Sequence, residues 1–346
     1  MEPVIPLVMF TAGFVLLLVG ADYLVRGAGS FAKNLSISTK AIGLTVFAFG
    51  TSAPEFVTNV FASVGRHEEI VFGNIIGTNI FNLLCILGIV GLVHPLRMRS
   101  SLVRRQLPFS LVVTVLLAIL CNDVVMFGLP QNWLSHLDGG ILLFGGFQAF
   151  IVFLLFVLNK AQAVEAHGYQ ARIPDAFGET DQPTPDDLPL DASEVTVYSP
   201  GRTALMIAIA GVATVLGGYL VVEHCARLAA LLGVRQRLLA LTIIAAGTSI
   251  PELLVSLLAA RRGHTDIAIA NIVGSNVFNI VFILGAGAVI YAAPFDTALN
   301  VDLMVLCAAT LAFGFLTRRQ RAVRRWEAAA MVAAYLAYLG YVLWRG

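Results

Sequence analysis

The chain has 346 residues, of which 58% are aliphatic, aromatic or Cys and only 12% are charged; its net charge is +1. A mean hydropathy of +0.85 excludes an ordinary soluble domain and fits a polytopic membrane protein. The balanced charge offers no basic surface for nucleic acid, and the four cysteines, all in or beside apolar runs, lack metal-ligand spacing.

A helix needs about 20 apolar residues to cross a bilayer, and on that measure the sequence predicts ten spans. The first, 5–25, has no Lys or Arg before it and no small-residue cleavage pattern after it. A retained helix is expected there, not a removable signal peptide. Near its end Asp22 corresponds, 197 residues on, to Tyr219, so a capping or interface role is expected for Asp22. Spans at 41–64, 70–93, 106–126 and 139–158 complete a first half, 1–158. Residues 159–202 hold eight acids, three basic residues and five prolines, which predicts a largely disordered acidic linker. Asp181, Asp186, Asp187, Asp191 and Glu194 lie close together there but lack the spacing and glycine of an EF-hand loop. The second half, 203–346, repeats five spans at 203–222, 238–260, 267–290, 300–317 and 327–344.

With both termini outside, seventeen Lys and Arg fall on the inner side and five on the outer side. This bias predicts a cytoplasmic linker and external termini. Five spans per half then turn the second half upside down relative to the first. The expected fold is all-α: ten transmembrane helices as two inverted five-helix repeats. Inverted repeats are common in secondary transporters, with the substrate site at their interface.

The halves share a doubled motif. Residues 44–55 read LTVFAFGTSAPE and 241–252 read LTIIAAGTSIPE; GNIIGTNIFN at 73–82 is matched by ANIVGSNVFN at 270–279. Between 41–90 and 238–287, 20 of 50 ungapped positions are identical. Glu55 and Glu252 sit well inside their spans, where an acid costs about 2.5–3.5 kcal/mol. Each follows a proline. Pro54 and Pro251 lack an N–H, so carbonyls near Gly50 and Gly247 lose their partner and the helix should break beside the carboxylate. Thr51, Ser52, Thr248 and Ser249 add hydroxyls. In the second motif Asn74, Thr78 and Asn82 share one helix face, as do Asn271, Ser275 and Asn279. Asn79 and Asn276 point elsewhere, toward helix–helix hydrogen bonds.

These are oxygen donors only; the six His residues fall outside the centres of the motif helices. Such a set suits hard cations and argues against zinc or copper. Two carboxylates in a dehydrated, irregular cage favour Ca²⁺, with Na⁺ as competitor. They also balance one Ca²⁺, and the empty pair would be costly to carry across a low-dielectric barrier. The return step should therefore need Na⁺ or H⁺, which favours antiport. No cofactor is called for: Ca²⁺ and Na⁺ are cargo, and the other partner is the lipid bilayer.

The GTSxPE and G(S/T)NxFN pair, present twice, resembles the sodium/calcium exchanger family of the calcium:cation antiporter superfamily, and the layout covers nearly the whole chain. The resemblance implies Ca²⁺ exchange for Na⁺ by alternating access, in a prokaryotic inner or plasma membrane. It places the ion ligands on the Ala48 and Thr51 carbonyls, Ser52, Glu55, Thr78 and Asn82. In the second half it places them on the Ala245 and Thr248 carbonyls, Ser249, Glu252, Ser275 and Asn279. Position 279 is Asn where the potassium-dependent branch carries Asp, and the proton-coupled branch usually lacks GTSxP. K⁺-dependent and H⁺-coupled exchange are the alternatives within the superfamily. A cation channel and a non-transporting calcium sensor are those outside it.

Overall fold

The computed structural model describes residues 4–34, 48–97, 101–152, 196–263, 265–320 and 322–345. Residues 41–47 of the second expected span, 153–158 of the fifth, and 159–195 of the expected linker lie outside them.

The chain is mostly helical. α1 (Val4–Asn34) runs on past its expected end at 25. α2 (Ala48–Thr51) and α3 (Ala53–Val64) are separated at Ser52. α4 spans Glu68–Val93 and includes a π-helical turn at Phe81–Ile86. α5 (Ser101–Leu120) stops short of the expected 126. A separate short helix, α6 (Asp123–Phe127), follows it; the Val124 N–H donates to Asn132 Oδ1 at 2.8 Å. α7 is His136–Val152.

α8 (Pro200–Leu232) already begins at Pro200, where a proline's missing N–H costs nothing. Just before it, the Tyr198 N–H donates to Ser30 Oγ at 3.0 Å. α9 (Gln236–Thr248) and α10 (Ile250–Arg261) form a bent pair at 43°. α11 starts as Thr265–Phe278, passes through a π turn at Asn279–Leu284 and ends as Gly285–Ile290. α12 (Asn300–Gln320) and α13 (Arg325–Arg345) complete the chain.

Among the described residues, six helices are long and apolar enough to cross a membrane, and the α9–α10 pair makes a seventh. The chain is an integral membrane protein. α4 and α11 form the centre: 83% and 72% of their apolar windows are buried, against 33% for α1, α8 and α13. On α8 the exposed Leu205, Ile209, Val212 and Leu216 form an apolar outer face suited to lipid.

Among the described residues two short antiparallel bridges join the helices, β1 (Leu96–Arg97) with β4 (Ala322–Val323) and β2 (Trp133–Leu134) with β3 (Ala293–Pro294). Both cross between the halves: the segment after α4 pairs with the α12–α13 connection, and the segment after α11 pairs with the connection before α7. Helix packing is crossed in the same way, with α13 against α4 and α7 against α11. Glycines permit it. A Cβ on Gly88 would meet the Ala328 carbonyl at 3.1 Å, and one on its counterpart Gly285 would meet the Leu143 nitrogen at 2.9 Å.

α1 and α8 lie along each other and run antiparallel, since Gly13 abuts Leu220, Gly20 abuts Thr214 and Gly27 abuts Ile207. A Cβ on Gly20 would lie 2.7 Å from the Thr214 nitrogen; its counterpart Gly217 faces the Leu17 backbone in the same manner.

Candidate cation site

The GTSxPE motif breaks its helix as the proline argument requires. Ser52 has φ −89° and ψ 10°, and Ser249 has φ −84° and ψ 6°. Helical bonding resumes at once, with the Phe56 N–H on the Ser52 carbonyl and the Leu253 N–H on the Ser249 carbonyl, both at 3.1 Å. Glu55 and Glu252 thus fall in the first turn of α3 and α10. A helix N-terminus favours negative charge there.

Both carboxylates are fully buried, and each is bound by the other half. Ser52 Oγ donates to Glu252 Oε1 at 3.1 Å, and Ser249 Oγ donates to Glu55 Oε1 at 3.3 Å. Thr51 borders the Glu252 carboxylate and Thr248 that of Glu55. Ser275 breaks the symmetry: its Oγ donates to Glu252 Oε1 at 3.1 Å and lies 2.8 Å from Ser52 Oγ. Thr78 instead donates to the Ala245 carbonyl at 3.3 Å.

Above the carboxylates, four asparagines join α4 to α11. Asn79 Nδ2 donates to the Asn276 carbonyl and Asn276 Nδ2 to the Asn79 carbonyl. Asn82 Nδ2 donates to Asn276 Oδ1 and Asn279 Nδ2 to Asn79 Oδ1, each at 3.0 Å. With their amide nitrogens so engaged, Asn82 Oδ1 and Asn279 Oδ1 are left free of hydrogen bonds, like Glu55 Oε2 and Glu252 Oε2. Buried acceptors without donors are costly, and four of them stand here in two equivalent pairs.

The structure therefore brings Thr51, Ser52, Glu55, Thr78, Asn82, Ala245, Thr248, Ser249, Glu252, Ser275 and Asn279 into one region; Ala48 opens α2, just before the break. Asp22 stands apart, paired with Arg26 at 2.9 Å on an exposed face of α1. His67 and His136 bond to Gln236 and to the Ala288 carbonyl, outside the cluster. Among the described residues no three His, Cys, Asp or Glu form a metal cluster, so any cation here relies on mixed neutral and charged oxygens. Two features escape the sequence: each carboxylate's serine comes from the opposite motif, and Asn82 and Asn279 lie in the π turns of α4 and α11. Such turns are frequent at functional sites, but no residue type announces them.

The sequence profile described as sodium/calcium exchanger protein matches residues 5–161 and 202–344. The chain belongs to the sodium/calcium exchanger family. This is a family of membrane antiporters that carry calcium and sodium. Within it, the chain is 34% identical to the proposed antiporter CaxA of Alkalimonas amylolytica, over 95% of each protein. It is 30% identical to the inner membrane protein YrbG of Escherichia coli K12, covering 97% of this chain and 96% of that protein. It is 28% identical to the sodium/calcium exchanger MaX1 of Methanosarcina acetivorans, over 94% and 95%. Among solved structures, the sodium-calcium exchanger NCX_Mj soaked with Na⁺ and Sr²⁺ matches with a TM-score of 0.60 at 25% identity, over 98% of this chain and 99% of that one.

Proposed function

We propose that this family member exchanges Ca²⁺ for Na⁺ by alternating access. One observation carries the reading: two fully buried carboxylates, each held by a serine of the opposite repeat, share a region with two amide oxygens free of hydrogen bonds. Two negative charges match one Ca²⁺, and neutral oxygens complete a flexible cage of the kind calcium accepts. With Ca²⁺ gone, the paired charges need replacement cations before the site crosses a low-dielectric barrier. The ligands are Ser52, Glu55, Thr78, Asn82, Ser249, Glu252, Ser275 and Asn279, with carbonyls of Ala48, Thr51, Ala245 and Thr248.

The architecture we infer is ten spans in two inverted halves, 1–158 and 203–346, with both termini outside and the acidic linker cytoplasmic. Antiparallel α1 and α8 support the inversion, because they are the first helix of each half. A prokaryotic inner membrane fits the similarity to the inner membrane protein YrbG of Escherichia coli.

The test is radiocalcium uptake by Na⁺-loaded proteoliposomes. Uptake should collapse when the Na⁺ gradient is removed. Uptake driven by a pH gradient and indifferent to Na⁺ establishes the proton-coupled alternative, and a requirement for K⁺ the potassium-dependent one. Single-channel currents without a counter-ion requirement establish a channel.

A further inference from the structure

Outward from Glu55, α3 carries Thr58, Asn59 and Ser63, at most 1% exposed, with Asn59 and Ser63 one turn apart on one face; Asn74 on α4 is also fully buried. Thr58 Oγ1, Asn59 Oδ1, Ser63 Oγ and both polar atoms of the Asn74 amide make no hydrogen bond. Asn59 is fixed by its other amide atom, since Nδ2 donates to the Val71 carbonyl at 3.0 Å. Its Oδ1 is thereby aimed away from α4 and toward Gly287 of α11. A Cβ on Gly287 would lie 2.5 Å from Asn59 Oδ1 and 2.8 Å from Ser63 Oγ. The two oxygens thus lie side by side, packed directly against a position where only a glycine fits.

The other half lacks this arrangement. At the positions 197 residues away from Thr58, Asn59 and Ser63 stand Val255, Ser256 and Ala260, and the position matching Gly287 is Val90. Asn271, the counterpart of Asn74, donates to Ser256 Oγ at 3.2 Å. Ser256 in turn donates to the Ala268 carbonyl at 3.5 Å. One copy is apolar or internally satisfied, with a buried valine at the matching position of α4; the other is polar and unsatisfied, with its oxygens set against a glycine. The difference that bears on a ligand is that these buried oxygens find no donor in the first half, whereas their counterparts are apolar or satisfied in the second.

We propose that Thr58, Asn59, Ser63 and Asn74 form a second cation site, a staging post for Na⁺ between Glu55 and the end of α3 that carries the Arg66 loop. The proposal rests on the exchange reading above. A rise of 1.5 Å per residue places Asn59 about 6 Å and Ser63 about 12 Å beyond Glu55, close enough to hand over an ion. All the donors are neutral, so they match a monovalent ion better than Ca²⁺, whose affinity follows ligand charge.

The variants that test it carry the other half's residues, Thr58→Val with Ser63→Ala, and separately Gly287→Val. In proteoliposomes, half-maximal activation by Na⁺ applied to the Arg66 face should rise about tenfold, as expected for losing about one hydrogen-bond equivalent. Activation by Na⁺ at the opposite face, and half-saturation by Ca²⁺, should stay at wild-type values. An unchanged response at the Arg66 face, or an equal shift at both faces, overturns the proposal. Sodium NMR relaxation on purified protein reads the site even if the wild type drives no Na⁺-dependent flux, a result that would sink the exchange reading alone. Protein carrying both Glu55→Gln and Glu252→Gln, which removes the central charges, should retain Na⁺ binding at the staging site, and adding Thr58→Val with Ser63→Ala should remove it. Binding that survives the added changes refutes the staging site.

Discussion

Asn79 and Asn276 clasp each other across the two halves: each side-chain amide donates to the other's main-chain carbonyl, at 3.1 and 3.0 Å. Their remaining oxygens accept from Asn279 and Asn82, so each half orients an amide that the other contributes. Replacing either residue by Ala strands buried partners, which costs about 1–3 kcal/mol. Thermal unfolding in detergent should show that loss. A double-mutant cycle should give the pair a coupling of about 0.5–3 kcal/mol; additive losses would mean that the clasp carries no energy of its own.

Glu55→Gln and Glu252→Gln keep the shape of the side chain and remove a charge. Each should abolish radiocalcium exchange while the protein stays monodisperse in size-exclusion chromatography, because one carboxylate no longer balances a divalent ion. Near-normal transport by either variant would dislodge these residues from the site.

Ser275 and Thr78 occupy equivalent positions with different partners. Ser275 bridges Glu252 and Ser52, whereas Thr78 bonds a carbonyl. Ser275→Ala should weaken Ca²⁺ activation about tenfold, as expected for a hydrogen bond to a charged group. Thr78→Ala should have the smaller effect, and Thr78→Ser should behave as wild type. Equal losses at 78 and 275 would contradict the asymmetry seen in the geometry.

Two ion pairs give opposite expectations for stability. Arg345 reaches the fully buried Asp302 at 2.5 Å, and Tyr338 donates to the same carboxylate. Arg345→Ala leaves that charge unpaired and should cost about 3–5 kcal/mol. Arg26 and Asp22 are more than half exposed, so Arg26→Ala should change stability by about 0–1 kcal/mol. Melting curves of the two variants side by side settle the contrast.

The motif residues were legible because each carries its own physical oddity: an acid inside a span, a proline before it, amides at helical spacing. The proline predicted a break beside the carboxylate, which falls at Ser52, and the interhelical role of Asn79 and Asn276 followed from their pointing off the Thr78–Asn82 face. Partners were not legible. Spacing relates residues along one helix, so it could not say that Ser52 serves Glu252 and not Glu55. The π turns at Asn82 and Asn279 were equally hidden, because they are set by packing between helices. The break between α5 and α6 was hidden too: hydropathy continues through 126, whereas the Val124 amide donates to Asn132, a partner that spacing does not name.

The crossed bridges have a consequence for biogenesis. When α7 emerges from the ribosome, its packing surface on α11 has not been translated, and α4 waits equally for α13. The leading half should thus be inserted before these contacts can form, with the last of them closing when α13 arrives. A gene cut between the halves should therefore yield two fragments that are unstable apart and recover one another when made together.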